Sequence, residues 1–427
     1  MTLGMVILFF LLMICGMPLF AALLVTALAG FAWIGDLSLL RIMVQQFFGG
    51  MDLFSLMAIP FFIFAGTLMD QAGMTERLLH MARALVGHLR GGVGYVNVVG
   101  SIIFAGINGS AAADTSALGT VLIPAMERDG YDRSYAAGLT AGSSLIGPII
   151  PPSIFMILYA ALTRTSVGGL FLAGVVPGLI LGLAFMAMNY FHARSCGISV
   201  AGGAFSFSGL ATAVGRGMSA LVAPFIIIGG IVFGVMTPTE SGAVAAAYVA
   251  VAGVLWTREL TLAGFWSAVF RTVRLTSSIF LIMGAAAVIG WLMAWEQVPQ
   301  EFAARVMPFV GNKILVLALL SLVTFFVGMF MEEVATLVLL TPVFLPIAKA
   351  AQIDPLVFGI VMILNITIAL ITPPMGACVY IAAAVGNVPL TAMFRRIWPF
   401  VACAMGVVML MIIFPGLILL IPRAFGF

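Results

Sequence analysis

Charged residues are scarce in this chain. Asp, Glu, Lys and Arg make up 8% of its 427 residues, where a soluble domain carries about 25%. That excludes a soluble globular protein, and a 63% hydrophobic composition with mean hydropathy +1.24 places the chain in lipid. Histidine is almost missing: His80, His88 and His192 all stand near charged loop segments, which excludes a histidine-rich metal site. The four cysteines, Cys15, Cys196, Cys378 and Cys403, are too scattered for a disulfide framework or a metal cluster. Net charge is +3 with no basic run and no aromatic–basic interleaving, so nucleic acid is excluded as a partner. The H-E-x-x-H, Gly-x-Ser-x-Gly and Walker patterns are absent as well, which supports neither an intramembrane hydrolase nor an ATP-driven pump; the chain is read as a non-enzyme. Met1 to Trp33 has no basic n-region and no small-residue cleavage site, so it is read as a retained membrane segment.

What the chain does have is long apolar stretches, near 3–33, 53–70, 92–125, 136–163, 166–192, 218–236, 240–256, 275–295, 314–348, 356–385 and 397–422. At about 20 residues per crossing they make an all-α polytopic membrane protein, with lipid as its solvent. Residues 104–152 recur as 326–374 at a gapless offset of 222. Phe104, Gly106, Ala113, Leu118, Val121, Pro124, Asp132, Ile146, Ile149, Pro151 and Pro152 reappear as Phe326, Gly328, Ala335, Leu340, Val343, Pro346, Asp354, Ile368, Ile371, Pro373 and Pro374. A glycine, an aspartate and three prolines among the matches argue against chance. Paired apolar segments interrupted by Gly and Pro in corresponding halves point to a transporter's binding site.

The 92–125 and 314–348 stretches are long for one crossing and break midway, which predicts two re-entrant hairpins with tips at 106–116 and 328–336. The stretches after them break at Gly147-Pro148-Ile149-Ile150-Pro151-Pro152 and at Thr372-Pro373-Pro374-Met375-Gly376, predicting two broken helices. Irregular backbone at membrane depth persists only where protein or a wet cavity surrounds it. Two more polar segments, 74–90 and 299–312, are expected as arm helices along the membrane surface. Threading the copies in opposite senses puts Arg77, Arg83, Arg90, Arg128, Arg133, Arg194, Arg216, Arg258, Arg271, Arg274, Arg395 and Arg396 on one face. Arg41, Arg164, Arg305, Lys313, Lys349 and Arg423 fall on the other. The excess makes the first face cytoplasmic and favours an inverted repeat. The N-terminus is left on either side, because 3–33 fits one tilted span or two pieces broken at Gly16-Met17-Pro18.

Unwound backbone frees carbonyl oxygens for a cation, and the N-terminus of a half-helix offers N–H groups to a carboxylate. Symmetry predicts a cation site near Gly328, Ala369, Thr372 and Met375, with a twin near Gly106, Gly147, Ile150 and Ser153; two sodium sites follow. Asn108, Ser110, Ser143, Ser144, Ser153, Asn365 and Thr367 are the candidates for substrate. Small residues also serve close helix packing, but packing alone does not require duplicated Pro-Pro interruptions. Intramembrane carboxylates are costly enough to suggest function. Glu332 is a candidate for the cavity or a cation because it matches Ser110, and Glu333 adjoins it. Asp114 is either functional or a bridge between hairpin arms. Glu240, after Thr237-Pro238, is read as a helix cap.

Gly87-His88-Leu89-Arg90-Gly91-Gly92, Phe104-Ala105-Gly106-Ile107-Asn108-Gly109-Ser110-Ala111, Ile123-Pro124-Ala125-Met126, the first break through Ser153, Phe171-Leu172-Ala173-Gly174, Thr237-Pro238-Thr239-Glu240 and Leu340-Thr341-Pro342 with Leu345-Pro346-Ile347-Ala348 occur in order along nearly the whole chain. Together they resemble the large membrane subunit of tripartite ATP-independent periplasmic (TRAP) transporters. The resemblance implies a sodium-coupled symport subunit of elevator type in a bacterial inner membrane. It also implies a small four-helix membrane subunit, expected here as a separate chain, and a periplasmic substrate-binding protein. The substrate implied is an organic acid of the C4-dicarboxylate or sialic acid class. Asn108 stands where a serine is expected and Glu332 where an aspartate is usual. The expected division is a scaffold in 1–91 and 164–313, a transport domain in 92–163 and 314–385, and a C-terminal helix in 386–427. A stand-alone sodium/dicarboxylate symporter is the alternative.

Overall fold

The computed structural model describes residues 2–35, 39–198, 205–309 and 311–427; the side chains of Thr2, Ile107, Asn108 and Met307 lie outside that description. Among the described residues every regular element is helical, as lipid requires of backbone groups that have no water to bond. The N-terminal helices are α1 (Thr2–Ile14), α2 (Leu19–Ile34), α3 (Leu40–Met51), α4 (Ala58–Gln71) and α5 (Met74–Val86). The first unit follows, with α6 (Gly92–Asn108), α7 (Ala111–Arg128), α8 (Arg133–Ser143) and α9 (Ile154–Thr163). Then come α10 (Val167–Ser195), α11 (Phe207–Val232), α12 (Pro238–Ala252), α13 (Leu262–Trp295) and α14 (Val298–Val306). The second unit is α15 (Lys313–Gly328), α16 (Glu333–Ala350), α17 (Pro355–Ala369) and α18 (Ala377–Gly386), and α19 (Leu390–Ile413) and α20 (Gly416–Ala424) close the chain.

Among the described residues seven helices are long and apolar enough to cross a membrane: Phe54–Gln71, Val167–Ser195, Phe207–Val232, Pro238–Thr257, Leu262–Trp295, Glu333–Ala350 and Leu390–Ile413. The chain is thus a multi-pass membrane protein. The 3–33 stretch is two helices, because Gly16 turns left-handed (φ +79°) and Pro18 precedes α2 without continuing α1. Likewise 386–427, expected as one helix, is two, parted at Phe414-Pro415. The span expected at 275–295 begins thirteen residues earlier, at Leu262. Arg271 and Arg274 lowered the hydropathy of that segment, but arginine is a good helix former and does not interrupt α13. The arm expected at 74–90 ends at Val86; it buries Met74, Leu78, Leu79 and Ala82. The arm at 299–312 is α14 followed by a short turn.

The offset of 222 recurs in the helix boundaries. Helices α7 and α16 run 111–128 and 333–350, and α8 and α17 start at 133 and 355. Asp132 and Asp354 cap those two helices by accepting from Tyr135 N and Leu356 N. Pro151–Pro152 and Pro373–Pro374 are both cis.

Tyr131 donates its hydroxyl to Gly91 O at 2.9 Å, so the two outer ends of the α6–α7 pair lie together. Lys313 Nζ donates to Gln352 O at 3.2 Å and does the same for α15–α16. Tyr159, late in α9, donates to Pro355 O at the start of α17 (2.9 Å). Conversely, a Cβ on Gly386 at the end of α18 would lie 3.4 Å from the Cβ of Ala137, early in α8. Arg77–Glu259, Arg133–Glu127, Arg396–Asp132 and the Arg90 bond to Ile198 O gather charges from separate helices and loops at the Tyr131 end. Helix α13 packs against α2, α3 and α4 on one side and α16 on another.

Candidate functional site

Ser110 and Glu332 open α7 and α16 and do the same local work. Ser110 Oγ accepts from Ala113 N at 3.5 Å and a Glu332 carboxylate oxygen accepts from Ala335 N at 3.1 Å, each satisfying a donor the helix start leaves free. Both helix starts face one cavity of about 420 Å³. Gly109, Ser110, Glu332 and Glu333 line it together with Arg271, Leu275, Ser278 and Ile282 of α13. The starts of two eighteen-residue helices carry partial positive charge. Arg271 adds a full one, and no ion pair among the described residues holds it. The cavity therefore offers donors and positive charge to an anion beside two carboxylates that suit a cation or hydroxyl groups.

Sequence reasoning missed Arg271 as a cavity residue and counted it with the loop arginines of one face. The available signal was its spacing: 271, 275, 278 and 282 fall on a single helical stripe.

At the first expected cation site Gly106 lies near the first break. A Cβ on Gly106 would lie 3.9 Å from Pro151 O, and one on Gly109 3.0 Å from Pro152 O, so the tip of the first pair rests on the first break. Beside it is Asp114, fully buried with neither carboxylate oxygen hydrogen-bonded. A Cβ on Gly147 would stand 2.7 Å from Asp114 Oδ2 and 3.2 Å from Ser144 O, so glycine leaves room there for the carboxylate. Among the described residues no backbone N–H bonds the carbonyls of Gly147 or Ile150. Ser153 caps α9, accepting from Met156 N while donating to Pro148 O.

At the second expected site a Cβ on Gly328 would meet that of Ala369 at 2.9 Å, so tip and break touch here too. The carbonyls of Ala369 and Thr372 accept from Thr372 N (3.0 Å) and Gly376 N (3.1 Å). Met375 is exposed, and Glu332 lines the cavity. Among the described residues no three His, Cys, Asp or Glu side chains cluster, so a cation would draw on backbone and hydroxyl oxygens with one carboxylate.

Of the substrate candidates Ser110 lines the cavity, and the side chain of Asn108 lies outside the described residues. Ser143, Ser144, Ser153, Asn365 and Thr367 are fully buried and not among its lining residues. Ser143 belongs to a network in which Asn97 donates to Thr140 Oγ1 (2.7 Å) while Ser143 and Ser101 close the chain. Ser144 and Thr367 bond back to Thr140 O and Ile363 O in their own helices. Glu240 is the first-turn carboxylate of a capping box whose N-cap is Thr237: its carboxylate takes Thr237 N and Oγ1 at 2.8 Å while Thr237 Oγ1 takes Glu240 N.

The model of the tripartite ATP-independent periplasmic transporter family, DctM component, matches residues 6–417. The chain belongs to that family. It is a large permease protein of a TRAP transporter, and its work is transport. The sialic acid TRAP transporter large permease protein SiaM of Vibrio cholerae is 39% identical over 417 residues, 97% of this chain and 96% of that one. The C4-dicarboxylate TRAP transporter large permease protein DctM of Pseudomonas aeruginosa is 36% identical, with 90% of each chain covered. The 2,3-diketo-L-gulonate TRAP transporter large permease protein YiaN of Escherichia coli is 35% identical, with 95% of each covered. Among solved structures the YdaH transporter of Alcanivorax borkumensis shares the fold, with a TM-score of 0.64 at 15% identity over 89% of each chain.

Proposed function

We propose that this TRAP large permease subunit is a sodium-coupled, binding-protein-dependent importer of an organic acid in a bacterial inner membrane, and that it moves its substrate by an elevator motion. The cavity between the starts of α7 and α16 carries this reading. It sets two helix N-termini and Arg271 around a space that fits a small carboxylate. C4-dicarboxylates and sialic acids, named for the relatives, both meet that demand.

The moving part would be 92–163 and 314–385, sliding against 1–91 and 164–313. The paired ends of α6–α7 and of α15–α16 support re-entrant hairpins. The Tyr159–Pro355 and Gly386–Ala137 contacts support an inverted repeat, since they set the end of each broken helix against the start of the other. Sodium would be held by the Gly147 and Ile150 carbonyls with Asp114 in the first half, and by the Ala369 and Thr372 carbonyls near Gly328 in the second. A separate small four-helix membrane subunit and a periplasmic binding protein would complete the assembly.

The test is uptake of a labelled organic acid into liposomes holding both membrane subunits, driven by a sodium gradient, with and without the binding protein. Uptake that persists after the sodium gradient is collapsed overturns the coupling. Uptake that needs no binding protein favours the stand-alone symporter.

A further inference from the structure

Two grooves lie at the Tyr131 end of the molecule, away from the central cavity. One, of about 780 Å³, is lined by Arg77, His80, Arg216, Ser208 and Thr212. Its neighbour, of about 610 Å³, is lined by Arg83, His88, Arg128 and Asp129, and the two share Ser206 and Gly209 at the start of α11. Four arginines from three separate elements thus converge on one surface with a single acid among the lining residues. Arg77 holds Glu259, but Arg83 and Arg216 hold no ion pair among the described residues. Arg216 lies ten residues into a membrane-spanning helix, where an unneutralised charge is costly. The same surface also carries apolar side chains: Phe205 and Phe207 are exposed, and Leu210 lines the groove.

We propose that these joined grooves bind an anionic glycerophospholipid, its phosphate on the arginines and on the Ser206–Ser208 hydroxyl pair, its chains on the exposed phenylalanines. Basic pockets between helices on the positively charged face suit such headgroups. Free phosphate would use the arginines and leave the phenylalanines without a role. The second groove is lined by residues on and beside α5, α6, α7 and α11. A lipid there bridges the parts assigned above to scaffold and to transport and favours the present arrangement. That consequence rests on the elevator reading; the binding does not.

The full chain, purified in neutral detergent, is titrated with short-chain phosphatidylglycerol, with phosphatidylcholine of the same chain length, and with inorganic phosphate, while thermal unfolding is followed and bound lipid is counted by native mass spectrometry. Phosphatidylglycerol alone should raise Tm and remain bound. Arg83→Gln with Arg128→Gln should weaken it about 25-fold, about fivefold per arginine, while Arg305→Gln, on the face opposite in charge count, should not. The double Lys variant should restore binding. Equal shifts with phosphatidylcholine, a shift reproduced by inorganic phosphate, or unaltered binding in the double Gln variant would each overturn the site. Uptake that ignores phosphatidylglycerol in the vesicle while the lipid still binds would overturn only the bridging role.

Discussion

The two units share boundaries and caps but distribute their polar groups in opposite ways. The first has a neutral cap, Ser110, and a carboxylate one turn later, Asp114. In the second the cap is itself a carboxylate, Glu332, and the matching position one turn later is Thr336, whose hydroxyl bonds back to Glu332 O. Asp114 is consequently turned into its own break beside Gly147, whereas Glu332 looks into the central cavity. The packing differs as well. Asn97, Ser101, Thr140 and Ser143 knit the first unit; at the same offset the second has Leu319, Val323, Met362 and Asn365. The two units keep the same helix boundaries and differ in where the carboxylate sits, buried in the first and on the cavity lining in the second.

The sharpest way to break this comparison is to remove the buried carboxylate. Asp114→Asn should weaken sodium binding roughly a hundredfold or more, because a cation left without its charged partner in a buried site loses several kcal/mol. Thr336→Val, its counterpart, removes one neutral hydrogen bond and should cost about 1 kcal/mol of stability. Sodium-dependent Tm measures both. Equal loss of the sodium response in the two variants would mean that the units are not specialised.

Next in size is the wall that faces both helix starts. Arg271→Gln should weaken substrate about 10- to 100-fold, the worth of a charge-assisted hydrogen bond, while leaving the sodium-induced Tm shift in place. Arg271→Lys should recover part of the affinity. An unchanged half-saturation for uptake in Arg271→Gln would remove the arginine from recognition.

Third come the interiors. Asn97→Leu should destabilise by about 2 kcal/mol because it removes two buried hydrogen bonds, while Thr140 keeps Ala136 O and Ser143 keeps Thr140 O and Ser101. Asn365→Leu removes an amide whose oxygen already lacks a partner, so it should shift stability by only about 1 kcal/mol. A large loss from Asn365→Leu, read by thermal unfolding, would show that the second unit also depends on a polar core.

The repeat, the two breaks and the Thr237–Glu240 cap were legible because each is local: Pro, Gly and capping residues act on the backbone within a few positions. Arg271 was not, since a face-by-face charge count records how many arginines a loop region holds and not which way a helix turns them. Nor was the burial of Ser143 and Ser144 readable. A hydroxyl that completes an interior network and one that lines a cavity look alike in sequence, and Asn97 lies too far from Ser143 along the chain to betray the pairing. The exchange of Ser110/Asp114 for Glu332/Thr336 was written in the sequence all along. Its meaning required Gly147 to be seen against Asp114.

The smallest effects should come at the outer ends of the pairs. Tyr131 ties the first pair together from a buried position, donating to Gly91 O and lying 3.0 Å from Asn189 Oδ1, and burial pushes its phenol up, so it stays a neutral donor. Tyr131→Phe should cost about 1 kcal/mol and leave Gly91 O dependent on the Asn189 amide at 3.3 Å. Lys313 ties the second pair through an exposed amine, so Lys313→Met should lie within about 0.5 kcal/mol of the parent. Chemical denaturation of the two variants side by side measures the difference. If Lys313→Met proves the costlier, the second pair is held from its outer end and the asymmetry lies in how the units are anchored to their surroundings.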